Sequence, residues 1–118
     1  SAVAQEQDSS GTVRQIVGST PGAVSYLAFG YANPTVQTLS IDGIKPTTAN
    51  VISNRWKIWS YEHIYTRGQP TGLTKRFLTY LDSSHIQKTL FNKLGYITVK
   101  QMKYQRNWQG QVMPGSGV

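Results

Sequence analysis

Apolar and polar positions alternate along this chain in two periods. Val13, Ile16 and Val17 share one face of a helix over 10–17; Asp8, Ser9 or Ser10 supplies its cap and Gly18 its stop. Ser19-Thr20-Pro21-Gly22 is a turn by composition, and 23–29 follows as a nearly continuous apolar run of strand length. Residues 36–41 alternate as a second strand before the Asp42-Gly43 turn signal, and 45–55 hold one helical turn. The clearest strand is 57–66, with Trp59, Tyr61, His63 and Tyr65 on one side and Ile58, Ser60, Glu62 and Ile64 on the other.

The period then changes. Leu73, Phe77, Leu78 and Leu81 predict a helix over 71–81 with one buried stripe, and Ile86, Leu90, Phe91 and Leu94 predict a second over 84–94. Ser84 with Gln87 fits a capping box and Gly95 a stop, while 96–99 reads as a last short strand and the Gly-rich stretch from Gln109 as loose. Strands and helices mixed in this order predict an α/β or α+β fold rather than a bundle or a sandwich.

Composition narrows the chemistry. With 118 residues, one domain is the natural expectation, and 13 aromatic residues are enough to build a core. The absence of cysteine excludes disulfides, thiolate metal sites and cysteine nucleophiles. No run approaches the ~20 apolar residues that span a bilayer, and no signal segment opens the chain.

Charge is lopsided. Residues 1–54 carry two basic and three acidic side chains, whereas 55–106 carry ten basic and two acidic. Such a half attracts polyanions and equally describes a solvated basic face, on which Lys75, Arg76, Lys88 and Lys93 point to solvent.

Enzyme signatures are missing: there is no phosphate-cradling Walker loop, no G-x-G-x-x-G, no nucleophile elbow and no H-E-x-x-H. His63 and His85 have no partner in the pattern, so no catalytic role, cofactor or metal is expected. Two other constellations carry chemistry. Trp59, Tyr61 and Tyr65, flanked by Arg55, Lys57 and Arg67, are either core or a stacking platform for single-stranded nucleic acid. Ser10, Gly11 and Thr12 open the first helix, where amide groups either take ordinary capping or approach an oxyanion.

The ordered segments Ser9-Ser10-Gly11-Thr12-Val13-Arg14, Thr20-Pro21-Gly22-Ala23-Val24-Ser25-Tyr26 and Leu39-Ser40-Ile41-Asp42-Gly43-Ile44-Lys45-Pro46-Thr47 are then followed by the Trp59 to Thr66 stretch. Gly72-Leu73, Phe77, Gln87-Lys88 and Leu94-Gly95-Tyr96 complete the set. Together they resemble the C-terminal part of the phosphate-binding proteins of high-affinity phosphate ABC transporters, Gram-positive type. The resemblance implies part of a type II periplasmic-binding-protein-like fold, a mixed sheet with flanking helices. It also implies a second-lobe portion over 10–34, a crossing near 33–40 and a first-lobe portion over 35–108, between the polar lead over 1–9 and the flexible tail over 109–118 that composition predicts. It further implies inorganic phosphate as ligand, an ABC permease as partner and an extracytoplasmic, lipid-anchored full-length form. Most phosphate contacts are then expected upstream of this chain. The apolar run 23–29 lacks neighbours here, which predicts that two copies of the chain pair through it or through 39–41.

Overall fold

The computed structural model describes residues 4–115; the expected polar lead and Gly-rich tail extend beyond it at 1–3 and 116–118. The chain divides into two compact units, Ser1–Leu39 and Ser40–Val118.

The first unit is organised by helix α1, Ser10–Ser19. Ser9 is extended (φ −130°), so its hydroxyl oxygen accepts the Thr12 amide at 3.5 Å and its carbonyl accepts the Val13 amide at 3.0 Å. Of the three candidate caps, Ser9 is the one used. Gly18 does not stop the helix, which runs one residue further. Its lack of a side chain instead admits the Thr35 carbonyl, which lies 3.1 Å from where a Cβ would stand. The Thr20-Pro21-Gly22-Ala23 turn forms as its composition dictates. Ala23 donates to the Thr20 carbonyl at 3.1 Å, with Gly22 at φ 79° in the position that type II turns reserve for glycine.

After this turn the expectation fails: 23–29 forms no strand, and neither does 36–41. A strand exists only when a second backbone lies alongside over several residues; the described residues offer none to 23–29 and only the isolated Ile41–Ile44 bridge to 36–41. The first ends in a short 3₁₀ turn, Phe29–Tyr31, whose last carbonyl accepts Arg14 Nη1 at 3.3 Å. No described residue of this unit is fully buried.

The second unit opens with a two-residue hairpin turn. Ile41 and Ile44 exchange both backbone bonds (3.0 and 2.9 Å) around Asp42 (φ 51°) and Gly43 (φ 74°). Helix α2, Thr48–Ile52, follows with Thr47 as cap. Helix α3 is Gly72–Leu81. Helix α4 opens as Ser84–Ile86 and widens at once into a π-helical stretch, Gln87–Phe91. Its cap is Ser83, whose hydroxyl accepts the Ile86 amide, not Ser84. The expected capping box fails because the Gln87 amide group donates instead to the Leu81 carbonyl at 2.8 Å. Gly95 (φ 83°) stops the helix as predicted: Tyr96 donates to the Phe91 carbonyl (2.9 Å) and Gly95 to that of Asn92 (3.2 Å). The Phe91 and Tyr96 rings meet edge-on at 6.1 Å, the apolar contact that accompanies such a stop.

Residues 57–66 and 96–99 are not strands either. The sheet of this unit is a single antiparallel pair, β1 (Tyr104–Arg106) and β2 (Val112–Pro114), so the Gly-rich stretch expected to be loose returns along the chain. Among the described residues the fold is thus helices with a two-stranded sheet, not an extended mixed sheet. The core of the unit is small: Val51, Ile86, Thr98 and Met102 are the buried ones among its described residues. The α3 stripe is split. Leu78 and Leu81 are half-buried, whereas Leu73 and Phe77 face solvent, as do Leu90 and Leu94 of the following helix. Periodicity identified the helices; it could not say which side would be covered.

Candidate functional site

The aromatic residues of 57–66 do not form one platform. Trp59 and Tyr61 are half-buried and meet edge-to-face at 5.6 Å. The Trp59 indole N–H donates to Asn54 Oδ1 at 3.1 Å, and the Tyr61 hydroxyl donates to the Tyr104 carbonyl at 2.7 Å. Arg106, carried by β1, lays its guanidinium over the Trp59 ring at 4.7 Å and donates from Nη2 to the Lys57 carbonyl at 3.1 Å. Its Nε is buried with no hydrogen-bond partner among the described residues. Burial pushes the Tyr61 phenol above its ordinary range.

A stacking platform needs open ring faces beside free cations. Here one Trp59 face is taken by the protein's own arginine, and Tyr61 is tied to the hairpin. Tyr65 is separate from both: it is 87% exposed, and its ring lies by that of His63, centroids 6.1 Å apart. The nucleic-acid reading of Trp59, Tyr61 and Tyr65 therefore has no geometric support. Arg106 and Asn54 were invisible to sequence reasoning, because Arg106 lies 49 residues beyond Lys57 and no spacing rule joins them.

Ser10, Gly11 and Thr12 do lie together, in the first turn of α1. Ser9 takes the Thr12 and Val13 amides, leaving those of Ser10 and Gly11 as the open donors of this turn. Gly11 admits close approach, its nearest neighbour being Ser9 Oγ at 3.6 Å from a notional Cβ. Glu6 and Asp8, just before the helix, are exposed carboxylates, and they oppose an anion at this place.

A shallow depression of about 340 Å³ lies where the chain enters α3, between Tyr65, Arg67, Thr71 and Thr74. Thr71 makes no side-chain cap bond to the helix it precedes. Among the described residues no three His, Asp or Glu side chains gather as metal ligands, and no helix is long and apolar enough to cross a membrane.

No family model matches this chain. It is, however, 49% identical over 106 residues to the phosphate-binding protein PstS of Bacillus subtilis (strain 168), a match covering 89% of this chain and 35% of that relative. The chain thus spans about a third of the relative's length. The resemblance read from the ordered segments is borne out over most of the sequence.

Proposed function

We propose that this chain is a segment of a phosphate-binding protein, the solute-binding component that delivers inorganic phosphate to an ABC-type importer. The observation that carries this reading is the 49% identity sustained over 106 residues to a protein of that description. Its role is binding rather than catalysis, in keeping with the absence of enzyme signatures from the sequence. The proposal includes an extracytoplasmic setting, a permease as partner and a type II periplasmic-binding-protein-like fold for the whole protein. The division between Leu39 and Ser40 supports the lobe assignment, since it falls inside the 33–40 stretch where the resemblance puts a crossing.

On this reading the chief phosphate contacts lie in the part of the protein that the match does not cover. Ser10, Gly11 and Thr12 contribute a secondary set: two open amides and two hydroxyls, beside carboxylates that weaken rather than strengthen anion binding. Holding a desolvated dianion requires a closed shell of donors, and one helix start supplies only part of it.

The test is a chimera in which this chain replaces the matched third of the Bacillus subtilis protein, titrated with inorganic phosphate by calorimetry. Retained binding supports the reading; a folded chimera that takes up no phosphate removes it.

A further inference from the structure

The loop joining β1 to β2 is pinned by more bonds than the short strands beside it require. Gly110 donates to the Asn107 carbonyl at 2.9 Å and Asn107 to the Gln111 carbonyl at 3.0 Å. Gly110 has φ 81°, the left-handed position that a three-residue hairpin loop reserves for glycine. The Asn107 side chain braces the loop from inside. Its Oδ1 accepts the Gln109 and Gln111 amides at 3.0 and 2.9 Å, and its Nδ2 donates to Gln111 Oε1 at 2.8 Å. Trp108 is the loop residue these bonds leave outside, and it is 92% exposed. Nothing lies within 4 Å of where a Gly110 Cβ would stand, so that side of the tip is open.

Cations stand at the same end of the hairpin. Arg106 is the last residue of β1, and its bond to the Lys57 carbonyl brings the exposed Lys57 beside the loop; Arg55, two residues earlier, is exposed as well. Glu62 adjoins Tyr61, whose bond to the Tyr104 carbonyl marks the opposite end of β1. No Asp or Glu follows Asp82 in the sequence. We propose that the Trp108 loop, with Arg55 and Lys57, docks on an anionic phospholipid surface. This is a second interaction, independent of phosphate capture. The residues around Trp108 favour that occupant over a protein pocket. Asn107, Gln109, Gly110 and Gln111 supply no apolar ring to keep water from an indole seated in a protein interface. At a bilayer no such ring is needed, because the indole lies at headgroup depth with its body toward the acyl chains. Lysine and arginine beside it meet the lipid phosphates. A braced loop also leaves the indole little freedom to lose on docking.

Co-sedimentation with phospholipid vesicles tests the proposal, with both this chain and the Bacillus subtilis chimera that carries it. Vesicles of phosphatidylcholine alone are compared with vesicles in which about a third of the lipid is phosphatidylglycerol. Both proteins are expected to bind the anionic vesicles at least about tenfold more tightly, and less tightly as salt is raised. Arg55→Gln with Lys57→Gln should remove most of that preference. Trp108→Ala, at an exposed loop position where circular dichroism can verify the fold, should weaken binding about tenfold. The part of the tryptophan emission that Trp108→Phe removes should shift to shorter wavelength on binding. Equal binding to both vesicles, or binding that Trp108→Ala leaves unchanged, overturns the proposal. So does a chimera that fails to bind while the chain binds, since the rest of the protein then covers the loop. A single-stranded oligonucleotide bound as tightly as the anionic vesicles, and equally sensitive to Trp108→Ala, overturns it too.

Discussion

The Arg106 guanidinium sits 4.7 Å from the centre of the Trp59 ring, and its Nη2 holds the Lys57 carbonyl at 3.1 Å. One side chain from the hairpin thereby fastens a stretch that has no backbone ladder of its own. It also occupies one face of the Trp59 ring.

Arg106→Ala removes both interactions together. A cation–π contact and a charged hydrogen bond at a half-buried site predict a loss of about 1–2 kcal/mol. Denaturant titration followed by tryptophan fluorescence should show the lower midpoint. Arg106→Lys should recover only part of it, since an ammonium cannot lie flat on the ring while reaching the carbonyl.

Tyr61 ties the same stretch to the Tyr104 carbonyl. Tyr61→Phe is expected to cost about 1 kcal/mol, the net worth of one partly buried hydrogen bond. Because burial raises the phenol's folded pKa, its neutral form is favoured by the fold. That contribution is complete below the unfolded value of about 10 and is lost as pH rises through the higher folded value. Melting temperatures should therefore fall more steeply above pH ~10 in the parent chain than in Tyr61→Phe.

The start of α4 separates two neighbouring serines. Ser83→Ala should destabilise by about 1 kcal/mol, since it removes the hydroxyl that accepts the Ile86 amide. Ser84→Ala, one residue into the helix, should change stability by no more than about 0.5 kcal/mol. Thermal melts monitored by circular dichroism distinguish the pair, and the reverse order would place the cap at Ser84.

What the sequence revealed about this fold divides by the range of the interactions involved. α1, α3 and the Gly95 stop were legible because caps, turns and helical periods are settled within a few residues. The Asp42-Gly43 turn was legible for the same reason. The runs 23–29 and 57–66 have strand composition, but pairing depends on a distant backbone, and none lies beside them here. Alternation put Trp59 and Tyr61 on one side without saying what would cover it; Arg106 and Tyr104 do so from more than forty residues away. The Ser10-Gly11-Thr12 cluster was equally legible as a helix start. Its chemistry was not, because the same residue types serve a cap and an anion.

For the isolated chain, phosphate calorimetry should show weak heat or none, because the first turn of α1 offers only two open amides and the exposed carboxylates of Glu6 and Asp8 precede it in the chain. Ser10→Ala with Thr12→Ala should leave that result unchanged. Submicromolar binding abolished by the double variant would move the principal site into this turn.

The chimera carrying this chain in place of the matched third of the Bacillus subtilis phosphate-binding protein bears most directly on the central claim. Calorimetric titration with inorganic phosphate should give one saturable site per molecule, with affinity within about tenfold, or ~1.4 kcal/mol, of the parent protein. A chimera that folds, melts cooperatively and shows no phosphate binding would contradict the assignment of this chain to phosphate capture.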